Sequence, residues 1–239
     1  MHIYVYELRQ ERHAPLTAEL AGVGLDPVLV EAGFFAGDLG SLTRKGGDTR
    51  PILIAVSPVM PAPPSELIRR IRSRGVQNPV IVLRDTRNAR EAAEVLDAGA
   101  DDVVVAPLKG VELISRVHSI LRRAHGFASE SVTVGEITAY FDGRDPEVSG
   151  ERLKLSRREH AIFQHLILNS NRVISKGAIY DAVYGMSTDQ PFDKVIDVYI
   201  CKLRKKIGDA AASGQQYIET VYGRGYKFGL DAGPAAVSA

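Results

Sequence analysis

The sequence predicts a doubly wound α/β domain followed by a smaller domain of helices and antiparallel strands. Between about residues 50 and 125, apolar runs of strand length alternate with amphipathic stretches at helical spacing, which favours a parallel sheet covered on both faces. After residue 131 the pattern changes to short alternating segments, then three helices and a closing pair of strands. Three helices followed by a β-hairpin are the layout of a winged helix-turn-helix domain, so the second domain is predicted to have that fold.

The first domain is expected to extend over residues 1–124. Its apolar runs predict strands at residues 3–6, 52–56, 79–83 and 103–105. Amphipathic spacing predicts helices at residues 66–72, 88–98 and 111–123, and Gly99 is typical of the end of the second helix. Residues 9–50 are rich in glycine and proline and only weakly periodic, so irregular structure is expected there.

Small and polar residues at 125–131 predict a linker before a second domain at 132–230. Turn signals predict antiparallel strands at 132–135, 138–141 and 147–155. Ser156 and Glu159 have the spacing of a capping box at the start of a helix that ends near residue 168. Helices at 175–184 and 193–207, ended by Gly185 and Gly208, and strands at 217–222 and 225–228 are expected to follow. Residues 231–239 are predicted to be a disordered tail.

The composition of the 239 residues, 45% apolar and 25% charged, is that of a soluble globular protein. No apolar run approaches the roughly 18 residues that a membrane span needs, and the first residues read as a strand rather than a signal peptide. The one cysteine, Cys201, excludes an internal disulfide and a cysteine-based zinc site, so we expect a cytoplasmic protein. Because the net charge is only +1, a nucleic-acid surface must concentrate its positive charge locally.

The third helix of the second domain concentrates that charge. Five residues fall at spacings that form one buried face, namely Ile196, Tyr199, Ile200, Leu203 and Ile207. The other positions carry the cations Lys194, Lys202, Arg204, Lys205 and Lys206, although residues 126–239 contain as many basic as acidic residues. A solvated face with cations favoured by the helix dipole would explain this pattern equally well. Arg224 favours DNA binding, because it lies between two glycines at the hairpin tip, where a cation can enter a minor groove.

Residues 196–207 and 218–228 resemble the OmpR/PhoB family of response regulators, and the resemblance covers essentially the whole chain. It implies a receiver domain followed by a winged-helix DNA-binding domain whose third helix lies in the major groove. Lys202 and Arg204 would contact base edges or phosphates, Lys194 and Val195 would lie near the groove floor, and Tyr199 and Lys205 near the backbone. The residues that would serve the wing are Thr220, Arg224, Tyr226 and Lys227. Cys201 stands where relatives often carry a cation.

The same resemblance implies a receiver that has lost its chemistry. A working receiver transfers a phosphoryl group from a histidine kinase to an aspartate, with acids to hold Mg²⁺ and a lysine and a hydroxyl to stabilise the product. By position, Glu7 stands where relatives have two or three acids, Ser57 replaces the aspartate, Arg84 the hydroxyl residue and Ala106 the lysine. We therefore expect no phosphorylation, metal, cofactor or enzymatic activity. A conventional phosphorelay through Asp85, one strand away, is the alternative.

Charged residues late in the first domain resemble the symmetric dimer interface of the family. These are Asp101, Asp102, Glu112, Arg116 and Arg123. Glu112 and Arg116 are also spaced to pair within their own helix, and the two aspartates could form ion pairs or bind a divalent cation. A twofold-symmetric dimer would place two winged helices on half-sites about one DNA turn apart.

The predicted function is that of a sequence-specific transcription regulator that binds DNA as a homodimer without aspartate phosphorylation. Its expected partners are double-stranded DNA and a second copy of the chain, with RNA polymerase as a further candidate and with no membrane or small-molecule substrate. Residues 142–159 resemble flagellar regulators of the family and residues 196–228 resemble cell-cycle regulators, so motility or cell-cycle genes are the expected targets. The alternative from another class is a regulator that binds other proteins and never contacts DNA.

Overall fold

The structure is a computed structural model that describes residues 2–37, 42, 50–124, 126–184 and 194–230. The chain divides into two compact units, residues 1–124 and 125–239. Within the described ranges, no helix is both long enough and apolar enough to cross a membrane. The expected tail at 231–239 and the expected helix ends at Gly185 and Asp193 lie outside the described residues.

The first unit is built on a five-stranded parallel sheet. In chain order its strands are β1 (His2–Tyr6), β2 (Asp26–Leu29), β3 (Ile52–Ala55), β4 (Val80–Arg84) and β5 (Asp102–Val105), and they lie in the order β2-β1-β3-β4-β5. Its helices are α1 (Gln10–Gly22), α2 (Ala32–Ala36), α3 (Pro64–Ser73), α4 (Ala89–Asp97) and α5 (Gly110–Ala124). Alternate residues of β1 enter two different hydrophobic cores, one on each face of the sheet. The predicted doubly wound parallel sheet is therefore confirmed.

The expectation of irregular structure at residues 9–50 is wrong for most of the described part of that range, which forms α1, β2 and α2. The local pattern is weak because α1 contains Pro15 and buries only Leu20 completely. Strand β2 begins with an Asp-Pro pair and leaves Val28 and Leu29 exposed at the edge of the sheet. Pairing with β1, from His2 opposite Asp26 onward, supplies the stabilisation that local propensity does not.

The second unit combines two antiparallel sheets with three helices. Strands β6 (Ser131–Val134), β7 (Ile137–Tyr140), β8 (Glu147–Val148) and β9 (Glu151–Arg152) form the first sheet, and β10 (Val173–Ile174), β12 (Gly225–Phe228) and β11 (Ile218–Val221) form the second. The helices are α6 (Arg157–Leu168), α7 (Lys176–Tyr184) and α8 (Lys194–Ala210). Ser156 and Glu159 form the predicted capping box on α6. This arrangement confirms the winged-helix layout.

Two predicted boundaries in this unit are wrong. The expected strand at 147–155 is interrupted by a turn at Ser149 and Gly150, both of which have positive φ, and only β8 and β9 are paired. Helix α8 does not end at Gly208 but continues to Ala210. Gly208 is tolerated because the flanking Ile207 is buried in the core and Ala210 and Ala211 pack against it.

Gly225 occupies a position that excludes a side chain. Its φ is +134°, and a Cβ placed there would lie 2.0 Å from the carbonyl oxygen of Ile174 in β10. We expect Gly225→Ala to lower the free energy of unfolding of the second unit by about 2 kcal/mol or more, because the strained backbone and the clash with β10 add.

Gly223 provides the matched control, because its φ of +70° is also positive but a Cβ added there would meet no atom within 4 Å. Gly223→Ala should therefore cost only the backbone strain, about 1 kcal/mol. Urea denaturation of both variants measures the two losses, and equal losses would contradict the steric explanation.

Candidate nucleic-acid interface

Helix α8 divides into a buried face and an exposed face. Four of the five residues predicted to form the buried face, Ile196, Ile200, Leu203 and Ile207, are buried in the core, whereas Tyr199 is only partly buried and packs against it. Among the described side chains, the exposed stripe consists of Val198, Cys201, Lys202, Lys205 and, near the end of the helix, Asp209, at three- and four-residue spacing. Val198 is 51% exposed and has no packing role that would explain an apolar residue there. The helix therefore presents a stripe in which apolar groups lie beside two cations.

Arg204 connects α8 to the hairpin formed by β11 and β12. Its Nε donates to the carbonyl oxygen of Ile218, and its Nη2 donates to Oγ1 of Thr220, each at 2.8 Å. Two residues that were predicted to face DNA, Arg204 and Thr220, thus contact each other. In this arrangement their main effect is to hold the hairpin against α8.

A second connection joins Tyr226 of β12 to Asp197 of α8. Tyr226 is buried, and its hydroxyl donates to Asp197 Oδ1 at 2.5 Å. Lys176 of α7 donates to the other oxygen of Asp197 at 2.8 Å. Burial, together with the hydrogen bond to Asp197, raises the pKa of Tyr226 to about 12. Tyr226 was predicted to serve the wing, but its side chain is buried and contacts α8 instead of lying exposed on the surface of the hairpin.

Asp197 remains ionised in this cluster. Burial acts to raise the pKa of Asp197, but the hydrogen bonds from Lys176 and Tyr226 outweigh burial and lower it. The guanidinium carbon of Arg204 also lies 5.7 Å from the centre of the Tyr226 ring, within cation–π range. Asp197, Tyr226 and Arg204 therefore form one support between α7, α8 and the hairpin.

Tyr199 lies at the margin of the exposed stripe with a cation on each side. Arg158, in the first turn of α6, donates to the Tyr199 hydroxyl at 3.4 Å, and Lys202 Nζ lies 5.6 Å from the ring centre. Arg158 lowers the pKa of Tyr199. Arg158 itself is exposed and was not found by sequence reasoning, because only the packing of α6 against α8 brings it to this surface. Cations around a hydroxyl suit contact with phosphate oxygens.

The turn between β11 and β12 carries two exposed side chains. Arg224 is exposed, and Tyr222, which sequence reasoning missed, is 91% exposed. Lys227 is only half-exposed and lies 3.7 Å from Glu219, so its charge is partly compensated. Proteins that bind the minor groove use cations such as Arg224 and often insert a large apolar side chain as well. The position of Tyr222 directly before Gly-Arg-Gly was the available signal.

The structure brings most of the predicted contact residues to one region of the second unit. Lys202, Lys205 and Arg224 are exposed, and Val195 is half-exposed on the same side of α8 as Val198. The side chain of Lys194 lies outside the described residues. Val198 could have been found from periodicity alone, since it lies three residues after Val195 and off the buried face.

In the first unit, the four positions of the predicted degenerate phosphorylation site meet at the carboxyl edge of the sheet. Glu7 follows β1, Ser57 follows β3, Arg84 ends β4 and Ala106 follows β5. Ser57 is buried and its hydroxyl accepts a hydrogen bond from the Val59 amide at 3.3 Å. Among the described residues, no group of three or more His, Cys, Asp or Glu side chains is arranged to hold a metal ion.

The predicted dimer-interface residues are paired within the chain. Arg116 donates to Asp102 at 2.8 Å and to Glu112 at 2.6 and 2.9 Å, which is the within-helix pairing considered as an alternative. Asp101 accepts hydrogen bonds from Arg72 and from the Val80 amide, both at 2.7 Å. Arg123 donates to the Ser119 carbonyl at 3.4 Å.

The chain is similar to known transcription regulators, and the family match lies within the second unit. Residues 150–228 match the family model described as "Transcriptional regulatory protein, C terminal". The cell cycle response regulators CtrA of Brucella anthropi and Brucella ovis are each 38% identical over 161 residues, which cover 67% of this chain and 68% of theirs. The crystal structure of response regulator DrrB, a Thermotoga maritima OmpR/PhoB homolog, aligns with a TM-score of 0.41 at 22% identity over 95% of this chain and 98% of its own.

The support around Asp197 has a defined pH dependence. We expect Asp197→Asn to lower the free energy of unfolding by about 1 kcal/mol at neutral pH, the low end for a charge-assisted hydrogen bond because the site is partly exposed. Since the folded-state pKa of Asp197 is lowered, this contribution is complete above the ordinary Asp range and is lost as the pH falls through the lowered pKa.

Urea denaturation of wild type and Asp197→Asn from neutral to acid pH measures both free energies of unfolding, which should become equal as the pH falls. Asp209→Asn, an exposed acid near the end of the same helix, is the control and should change stability by less than about 0.5 kcal/mol. A difference between wild type and Asp197→Asn that grows on acidification would show that the carboxylate is not stabilised by Lys176 and Tyr226.

Proposed function

The chain belongs to the OmpR/PhoB family of response regulators, and from this premise we propose that it is a sequence-specific DNA-binding transcription regulator. It acts in the cytoplasm as a homodimer and does not depend on phosphorylation of an aspartate. The observation that carries the proposal is the exposed cationic stripe of α8, which Arg204 and Tyr226 hold in a fixed relation to the hairpin. The 38% identity of the chain to CtrA proteins supports the same class of function.

In the proposed complex, the exposed stripe of α8 enters the major groove, which is wide enough to admit a helix. Lys202 contacts a base edge or a phosphate, and Lys205 and Tyr199 contact the backbone, with Arg158 as an additional phosphate ligand. Arg224 and Tyr222 enter or flank the adjacent minor groove. Arg204, Thr220 and Tyr226 position these groups, while Lys227 has a smaller electrostatic role because Glu219 lies near it.

Independence from phosphorylation is supported by the side chains at the carboxyl edge of the parallel sheet. Ser57 offers a hydroxyl where a carboxylate nucleophile is required, and Ala106 offers no cation for a phosphoryl oxygen. Arg84 is buried and paired with Glu91, so it does not take the place of a hydroxyl group that donates to a phosphoryl oxygen. None of the groups at these positions has the chemistry of an acyl-phosphate site.

Dimerisation is proposed through the surface of α4, β5 and α5. This surface carries Asp102, Glu112 and Arg116, all partly exposed despite their mutual pairing. Leu96 of α4 and Val105 of β5 are exposed apolar residues on the same elements. A twofold axis here would let such ion pairs form between subunits as well as within them, and would set two DNA-binding units on repeated half-sites.

The proposed targets are cell-cycle genes, supported by the similarity to CtrA proteins, and motility genes, supported by the resemblance of residues 142–159 to flagellar regulators. RNA polymerase is the further proposed partner at those promoters.

A gel-shift titration of the full chain without phosphodonor tests this function. Promoter fragments of cell-cycle genes, flagellar genes and the protein's own gene are compared with unrelated DNA at two salt concentrations. We expect tight binding that weakens with salt, and about five-fold or greater weakening by Lys202→Ala or Arg224→Ala. Arg152→Ala, an exposed cation of the first antiparallel sheet, is the matched control and should bind as wild type does.

The outcomes separate the alternatives. Binding that appears only after acetyl phosphate and Mg²⁺ are added would overturn phosphorylation independence. Failure to bind any fragment under either condition would overturn DNA binding and favour a regulator that acts through other proteins.

We expect Val198 to contact the 5-methyl group of a thymine, because that is the apolar group that the major groove offers. Replacing one thymine of the half-site by deoxyuridine removes that methyl group. We expect one such replacement to weaken wild-type binding about four-fold, which corresponds to about 0.8 kcal/mol for one buried methyl group.

In the Val198→Ala variant the same replacement should have no further effect, because the contacting side chain is already gone. Val198→Thr, which keeps the shape and one methyl group, is the control. Equal sensitivity of wild type and Val198→Ala to every replacement would show that Val198 does not read thymine.

A further inference from the structure

The carboxyl ends of β1 and β3 enclose the crevice in which an open parallel sheet normally binds its ligand. The strand order β2-β1-β3-β4-β5 reverses at the β1–β3 pair, so the connections leave this point on opposite faces. The family to which the chain belongs implies Mg²⁺ and a phosphoryl group at this position. The residues that line the crevice therefore decide whether such a ligand fits.

Two carboxylates lie at this edge, and both are already paired with arginine side chains. Glu7 follows β1 and its side chain is completely buried, while Asp85 follows β4 and is 46% exposed. Mg²⁺ requires a near-octahedral shell of oxygen ligands at about 2.0–2.1 Å. Access to Glu7 or Asp85 would require removal of the groups that now contact them.

Arg9 is the first of those groups, and it contacts three strand ends. Its Nε and Nη2 donate to the two oxygens of Glu7 at 3.0 and 3.1 Å. Its Nη1 donates to Asp85 at 2.5 Å, and Nη2 also donates to the carbonyl oxygen of Val56, just beyond β3. One guanidinium thus joins the ends of β1, β3 and β4 through the crevice.

Arg12, in the first turn of α1, completes the cluster. Its Nε lies 3.5 Å from Glu7 Oε2, and its Nη1 donates to the oxygen of Asp85 that Arg9 leaves open. Two guanidinium groups therefore face two carboxylates, and the charges balance. The ring nitrogen Nε2 of His13 contacts the carbonyl oxygen of Glu7 at 2.7 Å, which anchors the same turn.

A divalent cation does not fit this arrangement. Placing it between Glu7 and Asp85 would displace at least one guanidinium and leave that charge without its partner in a largely buried position, which is strongly unfavourable. Repulsion between the ion and the remaining guanidinium would add to this cost.

We propose that the guanidinium groups of Arg9 and Arg12 are a built-in substitute for the metal ion, and that they hold the ends of β1, β3 and β4 in one arrangement without any ligand. A ligand selects a conformation through its different affinities for two states. A cation that belongs to the chain is present in every molecule, so the selection is permanent.

The inference deepens the proposed function, since it supplies the physical basis for independence from phosphorylation. Its test measures metal binding and thermal stability and uses no DNA. Failure of the DNA-binding proposal and failure of this inference are therefore distinguishable.

The experiment compares the full chain with Arg9→Ala/Arg12→Ala, which uncovers both carboxylates. Mn²⁺ is the probe, with free Mn²⁺ measured by its paramagnetic resonance signal and stability measured by the thermal midpoint. The matched control is Arg90→Ala, which removes an arginine of the same unit whose side chain is 90% exposed and lies 3.4 Å from Glu94.

We expect wild type and Arg90→Ala to bind no Mn²⁺ at millimolar concentration and to share one thermal midpoint. Arg9→Ala/Arg12→Ala should lose about 4–8 °C, bind Mn²⁺ and regain part of the lost stability when it binds. Adding Glu7→Gln to that variant should abolish Mn²⁺ binding, because it removes the buried carboxylate.

Saturable Mn²⁺ binding by wild type would overturn the proposal, as would a double variant that is as stable as wild type and does not respond to Mn²⁺. Arg9→Lys/Arg12→Lys covers the case in which the alanine variant does not fold. It keeps both charges but lacks the planar fork, so it should have a lowered midpoint and remain insensitive to Mn²⁺. Binding of Mn²⁺ by the lysine variant would show that positive charge at these positions does not exclude a metal.

Discussion

Burial of one face of α8 is the constraint on which the candidate DNA surface depends. Ile196, Ile200, Leu203 and Ile207 enter the core of the second unit, and the helical period then leaves Lys202 and Lys205 in solvent. Orientation about the helix axis is therefore set by hydrophobic burial and not by the cations. The buried face thus fixes the side on which the charged groups lie, and their electric field has a direction although the unit as a whole is nearly neutral.

Fixing the hairpin relative to α8 requires polar contacts in addition to burial. Arg204 reaches β11, Asp197 reaches Tyr226 of β12, and Lys176 connects the same carboxylate to α7. Each contact is directional, so together they limit the relative motion of the elements that carry Lys202 and Arg224. Residues that look like DNA ligands by charge alone thus divide into two groups, those that contact solvent and those that position the others.

In the first unit, the hydrophobic framework of the sheet and the charged contacts at its carboxyl edge are separate features. Hydrophobic residues of β1, β3 and β4 are buried irrespective of what lies at the carboxyl edge. At that edge, ion pairs between guanidinium and carboxylate groups can balance charges that a bound ion would otherwise balance. The framework of the sheet is held mainly by these two cores, and the side chains at its carboxyl edge add to it.

Strong periodicity and turn chemistry made several features predictable from the sequence alone. The alternation of strands and helices at 50–124, the capping box at Ser156 and the buried face of α8 depend on local patterns, and the sequence by itself determined them. Helix α1 and strand β2 were not predictable, since pairing with β1 overrides weak local propensity.

Only the tertiary structure decided that Arg204 and Tyr226 face inward, that Arg158 reaches Tyr199, and that Arg9 meets Glu7, Val56 and Asp85. Apart from that of Arg9 with Glu7, these contacts join residues far apart in the chain, and side-chain pairing across elements leaves no periodic signal in the sequence.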